Sequence, residues 1–296
     1  MAIKTLICGL SGTGKSTSAR NLKDVAVVNP VNKPLPFKNN FEMLNGVTDA
    51  DEIVKFMQNT DKKIIIVDDF QYLLSIPYMN RIKETGWDKY NDFAFNYYEV
   101  IKVCDYLPED VTVYFMTHTE TLEDGTETVK LIGKLLREKI CIEGLFTTVL
   151  KTLVNDGKYY FITQNNGHDN VKSPLGMFES YAIDNDLAYV DAKIRSYYEI
   201  GTDYKTDEEM AEADAEAMRE EITKPEPRAK RRRAAVKPQT EEVAKNEPDK
   251  TTDEPKPLRQ RKHREEVAEA SANVIDPDVP APEEAPKRRR RRAVEE

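Results

Sequence analysis

Near the start of the chain, Gly9-Leu10-Ser11-Gly12-Thr13-Gly14-Lys15-Ser16 carries the pattern G-x-x-x-x-G-K-[ST]. Such a run serves the capture of a phosphate chain. Its glycines let backbone N–H groups turn toward phosphate oxygens, and a helix N-terminus behind the loop adds partial positive charge. The Lys15 ammonium would bridge the β- and γ-phosphates of ATP, and the Ser16 hydroxyl would sit on Mg²⁺. Gly9, Leu10, Ser11, Gly12, Thr13, Gly14, Lys15, Ser16 and Thr17 are therefore the expected nucleotide contacts.

A second constellation is Ile64-Ile65-Ile66-Val67-Asp68-Asp69. An apolar strand delivers carboxylates to its C-terminal edge, where open α/β sheets bind ligands. Asp68 is expected to hold Mg²⁺ through water. Asp69 has two readings: it polarises the attacking water, or it caps the turn at Gln71-Tyr72-Leu73. His118 ends the next expected strand, in Phe115-Met116-Thr117-His118-Thr119. There it can sense the γ-phosphate, with Thr117 as the substitute and a solvated loop histidine as the plain alternative. Lys134 and Lys172 each offer positive charge to a developing γ-phosphate, in cis or from a neighbouring subunit, or are ordinary surface lysines.

These residues need an α/β frame to hold them. Residues 2–8 read as a buried strand, with a helix running from the glycine loop to about Leu22, and residues 25–29 as a second strand. A loop with Pro30, Pro34 and Pro36 leads to a helix capped near Thr48 or Asp49, with Ile53, Phe56 and Met57 on its apolar face. Residues 63–67 form a continuous apolar run, as a central parallel strand requires. Residues 88–107 have helical spacing, and 111–116 read as another buried strand. Then the pattern changes: a hairpin turn at Glu123-Asp124-Gly125, a helix over 134–142, and two strands across 147–161 around Asn155-Asp156-Gly157. A loop over 167–178 precedes a last helix over 185–198. The expectation is a mostly parallel sheet with antiparallel edge hairpins.

Composition divides the chain of 296 residues at about residue 205. Every aromatic residue lies at or before Tyr204; residues 1–205 hold four arginines and residues 206–296 hold thirteen. A segment so poor in large apolar side chains cannot offset its chain entropy, so 206–296 is expected to be a disordered charged tail. Its basic blocks, residues 228–233, 259–264 and 287–292, would bind phosphates without sequence choice, or serve as a solvated polyampholyte or a nuclear address. The net charge of −9 argues against wholesale coating of nucleic acid. Cys8, Cys104 and Cys141 sit in apolar runs without pairing rhythm and are expected to be reduced and buried. No apolar run reaches the roughly 20 residues that span a bilayer, and no cleavage-type site follows the N-terminus, so no membrane partner and a cytoplasmic location are expected.

Taken in order, the phosphate loop, Asn32-Lys33-Pro34-Leu35-Pro36-Phe37, Val67-Asp68-Asp69-Phe70-Gln71-Tyr72, Thr117-His118, Ile132-Gly133-Lys134-Leu135-Leu136, Thr163-Gln164-Asn165 and Lys172-Ser173-Pro174-Leu175-Gly176-Met177-Phe178 form a set. In that set the chain resembles the bacteriophage RecA-like P-loop ATP-binding proteins related to the phage single-strand annealing ATPases. The resemblance covers residues 3 to about 200 and implies a RecA-like core, assigned to 1–205, with Mg²⁺-dependent ATP hydrolysis in phage DNA recombination or replication. It also implies single-stranded DNA as a partner, a homo-oligomer, and Lys172 reaching a neighbouring subunit's nucleotide. RecA itself places a catalytic glutamate after the second strand, where this chain has Asn29-Pro30, which moves the expected base to Asp69. Rival classes are a replication or packaging motor or loader, a nucleotide kinase, and a non-catalytic ATP-binding scaffold. The scattered arginines of the body count against the kinase, whose lid clusters them.

Overall fold

The computed structural model describes residues 1–225. The three basic blocks lie outside the described residues. The strands are β1 (Ile3–Gly9), β2 (Val25–Asn29), β3 (Glu42–Asn45), β4 (Ile64–Val67), β5 (Thr112–Thr121), β6 (Glu127–Val129), β7 (Thr148–Asn155), β8 (Lys158–Ile162) and β9 (Ala182–Asp184). They run in the order β3-β2-β4-β5-β1-β7-β8-β9, with β6 paired separately to β5. The stretch from β3 to β7 is parallel throughout, and β8 and β9 continue it through antiparallel pairings. The fold is α/β, with a mostly parallel mixed sheet and antiparallel hairpins.

Burial on both faces explains the continuous apolar runs of the central strands, because successive side chains point to opposite sides. Leu6, Ile65, Val67, Val113 and Phe115 face one core, with α1 (Ala50–Asn59), α2 (Tyr72–Asn80), α3 (Asp88–Lys102) and α4 (Lys134–Glu138) on that side. Ile7, Ile66, Tyr114 and Met116 face the other, against Leu187, Val190 and Ile194 of α5 (Leu187–Tyr198). Asp49 caps α1 by accepting from Glu52 N at 3.0 Å, and Ile53 and Met57 are its buried face, as the sequence predicts.

Arg195 on α5 ties the opposite edge of the sheet. Its guanidinium donates to Asp191 at 2.7 Å and to the carbonyls of Asp110 and Lys63 at 3.0 Å. Asp191 in turn accepts from Thr112 and Tyr114 at 2.6 and 2.7 Å. One helix thus holds the starts of β4 and β5 together.

Four expectations change. The segment behind the glycine loop is a 3-10 helix, Ser16–Asn21, and not an α-helix to Leu22. Its Ser-Thr-Ser start competes for backbone carbonyls, and Ser18 Oγ donates to Lys15 O at 2.6 Å. Any dipole contribution is confined to two short turns. Second, α4 stops at Glu138 instead of reaching residue 142, which leaves Cys141 exposed while Cys8 and Cys104 are buried. Third, β5 does not end at His118: pairing of Thr119–Thr121 with Glu127–Val129 carries it further.

Fourth, the folded body passes residue 205. Helix α6 (Asp207–Ala217) begins with a full capping box, Thr206 with Glu209, and buries Met210 and Ala217. Asp214 accepts from Tyr189 Oη at 2.8 Å and Lys193 Nζ at 2.5 Å, and Arg219 Nε donates to Asp184 at 2.8 Å. Composition hides this helix, because it is acidic and free of aromatics, and only its inner face packs. Ending the chain after Tyr204 instead of Lys224 should cost about 2–4 kcal/mol from lost burial and hydrogen bonds. That lowers the Tm by roughly 5–15 °C. Thermal unfolding of the two truncations checks this, and coincident melting would mean that α6 adds nothing.

Candidate functional site at the C-terminal edge of β1, β4 and β5

Three parallel strands deliver the site. β1 ends at Gly9, β4 hands over to Asp68 and Asp69, and β5 lies between them with His118 in register with Gly9. The glycine loop folds over this edge with Leu10, Ser11 and Gly12 exposed, Thr13, Ser16 and Thr17 half-buried, and Gly9, Gly14 and Lys15 buried. Two glycines are required by close approach. A Cβ on Gly9 would stand 2.1 Å from Thr152 Oγ1, and one on Gly14 would stand 2.8 Å from the Tyr159 ring and 3.0 Å from Asn185 Oδ1. Thr13 Oγ1 meets Thr152 Oγ1 at 2.5 Å, which seats the loop on β7.

Lys15 curls back across the loop. Its Nζ donates to Gly9 O at 2.9 Å and Leu10 O at 2.7 Å. Burial pulls its ammonium down to about 8, against the opposing pull of Asp69 and Asp68. Ser16 Oγ donates to both Asp68 oxygens, at 2.8 and 3.0 Å. Burial, reinforced by the charge of Asp69, pushes the Asp68 carboxyl up, while Ser16 and Lys33 work the other way. A hydroxyl touching a carboxylate is a set of hard oxygen donors. It fits Mg²⁺, which keeps most of its water and takes only one or two protein oxygens beside a phosphate. Among the described residues no group of three or more His, Cys, Asp or Glu side chains forms a protein-only metal cage.

Asp69 has φ +54°, a left-handed conformation uncommon outside glycine. The next residue, Phe70, holds it there. Phe70 is fully buried, stacks on Tyr97 at 3.9 Å and donates its N–H to Met116 O at 2.7 Å. The left-handed turn aims the Asp69 carboxylate inward, where Oδ1 lies 3.3 Å from His118 Nε2 and Oδ2 accepts from Lys33 Nζ. Burial works against ionisation of Asp69, and the hydrogen bonds from His118 and Lys33 outweigh it, so its carboxyl sits below the usual range. The helix-cap reading of Asp69 is not what the side chain does: α2 has Gln71 at its N-cap and no side-chain cap.

Lys15, Ser16, Asp68, Asp69 and His118 therefore meet at one sheet edge. Lys172 does not join them. Its backbone pairs with Val149 at 2.8 and 3.0 Å, three residues down β7 from Thr152, about 10 Å at strand spacing. Lys134 is exposed at the start of α4. Sequence patterns give no role to Lys33, Gln71 or Thr152. Gln71 Oε1 accepts the His118 backbone N–H at 2.6 Å, so it joins the start of α2 to β5. Lys33 lies in one of the stretches that carry the resemblance, and the flanking Pro34 biases it toward an extended conformation, but neither signal gives it a role. Chemically, a buried ammonium beside a hydroxyl–carboxylate pair suits an anion next to a hard cation. A second carboxylate, Asp69, lies beside them with its oxygens held by His118 and Lys33.

Compared with models of known families and with curated protein sequences, the chain matches none. No helix among the described residues is long and apolar enough to cross a membrane.

Proposed function

We propose that this chain binds Mg-ATP at the glycine loop and hydrolyses it, as a RecA-like P-loop ATPase acting on single-stranded DNA in phage recombination, by annealing or strand exchange. The observation that carries the ATP site is the contact of Ser16 with Asp68 beside buried Lys15. Residues 52 positions apart in the chain bring a hydroxyl–carboxylate pair beside a buried ammonium, which supports this reading. The DNA part rests on the ordered motifs that resemble the phage family.

In this reading Lys15 contacts the β- and γ-phosphates, and Ser16 and Asp68 hold the metal. Mg²⁺, when bound, supplies charge that stabilises the phosphate oxygens. Asp69 orients the attacking water and accepts its proton, and His118 senses whether a γ-phosphate is present. Because β7 holds Lys172 away from its own chain's glycine loop, its route to a phosphate is a neighbouring subunit in a homo-oligomer.

The deciding experiment is ATP turnover with no DNA, single-stranded DNA and duplex DNA. Stimulation by single strands is the expected result. Tight ATP binding with no turnover under any condition would replace the enzyme with an ATP-binding scaffold. Coupled, processive unwinding would favour a motor.

A further inference from the structure

Lys33 is a cation at this edge that ATP hydrolysis, as proposed above, does not use. Its backbone is held by Asn29, and its tip reaches Asp69. Asn29, buried at the end of β2, donates Nδ2 to Lys33 O at 2.8 Å and to Asn45 Oδ1 at 2.9 Å. Asn29 O accepts from Asn32 N at 3.1 Å and from Gly46 N at 2.9 Å. Asn32 takes a left-handed turn, φ +56°, and Pro34 follows Lys33 directly. A tight, asparagine-gripped turn thus presents one lysine toward the Asp68–Asp69 corner. The Lys33 side chain is still 43% exposed, whereas the Asp69 carboxylate it touches is 4% exposed. The stem lies at the surface, whereas the acceptor is enclosed.

Both oxygens of Asp69 are engaged, Oδ1 by His118 and Oδ2 by Lys33. A carboxylate tied on Oδ2 by an ammonium is a poor acceptor for a proton from water. A γ-phosphate placed between Lys15 and Asp69 would carry more negative charge than the single carboxylate, and would compete for the same ammonium. A nucleoside diphosphate would offer no such group.

We propose that Lys33 is a second phosphate cation: it clamps Asp69 until a nucleoside triphosphate binds, then transfers to the γ-phosphate and frees Asp69 Oδ2. This rests on the ATP-site reading. With Asp69 released, the water oxygen bonds to the γ-phosphorus as the bond to the β,γ-bridging oxygen breaks. The water proton passes to Asp69 Oδ2 and then to the inorganic phosphate, which leaves with ADP. Lys33 returns to Asp69 once the γ-group has gone. The site would then distinguish triphosphate from diphosphate through a residue outside the glycine loop.

The test is calorimetric titration of the full chain with Mg-ADP and with a non-hydrolysable Mg-triphosphate analogue, for wild type, Lys33→Ala and Lys33→Arg. Lys33→Ala should lose about 10- to 100-fold in triphosphate affinity, the scale of one hydrogen bond between charged groups. Its ADP affinity should stay within about twofold of wild type at that same scale of contact, and Lys33→Arg should recover most of the loss. Equal losses for both nucleotides, or none for either, would overturn the transfer while leaving the ATP site in place. Should Lys33→Ala melt early, Lys33→Gln keeps most of the stem and is judged by the same two affinities. If the wild type bound neither nucleotide, the underlying ATP-site reading would fail, an outcome separate from any behaviour of the variants.

Discussion

Replacing Lys15 with alanine should lower ATP turnover at least ~100-fold, the scale of losing one preorganised charge contact to the transferring group. The substitution removes the ammonium that lies between the loop carbonyls and the two aspartates. The fold should survive, because what is lost locally is two hydrogen bonds to Gly9 and Leu10, about 2 kcal/mol together. For a body of this size that shifts the Tm by roughly 4–8 °C. Steady-state phosphate release and a melting curve on the same sample separate the two effects. Near-normal hydrolysis in a folded Lys15→Ala protein would sink the active-site assignment.

Asp68→Asn and Asp69→Asn should fail in different ways although the residues are adjacent. Asp68 touches Ser16, so its loss should weaken nucleotide affinity only when Mg²⁺ is present. Asp69 touches Lys33 and His118 and not Ser16, so Asp69→Asn should retain nucleotide and slow cleavage by roughly 10²–10⁴-fold, as loss of a general base does. Asparagine tolerates the left-handed φ at this position, so the comparison is not confounded by backbone strain. Nucleotide titrations with Mg²⁺ and with EDTA, paired with single-turnover cleavage, measure both. Full activity in Asp69→Asn would reduce the residue to an ion-pair anchor for Lys33.

The parts of this site that share a local pattern were legible in the chain. The glycine loop, the apolar strand ending in two acids and the strand carrying His118 each announce themselves through spacing, and β1, β4 and β5 bring them to one edge. Long-range partners were not legible. The grip of Asn29 on the Lys33 turn, the link from Gln71 to His118 and the seat of Thr13 on Thr152 depend on which strands become neighbours. Short elements were missed for a related reason. β3 and β9 have four and three residues, too few for a period to show, and are strands because β2 and β8 offer them an edge. The 3-10 turn after Lys15 and the short α4 reflect competition that helix periodicity does not register.

The central place of β1 sets a schedule for biosynthesis. Its partners begin far downstream, with Ile3 against Thr112 on β5 and Thr5 against Thr148 on β7, and Gly9 packs on Thr152. The loop is made before all of these partners, yet the surface that shapes it is complete only when Tyr159 and Asn185, which crowd Gly14, have been added. At usual elongation rates of 5–20 residues per second, that leaves the nascent glycine loop without its full seat for roughly 9–35 seconds. Nucleotide supplied during translation should therefore not be captured by nascent chains that end before Asn185, and ribosome-bound intermediates of graded length should acquire protection of Lys15 from chemical labelling in one late step.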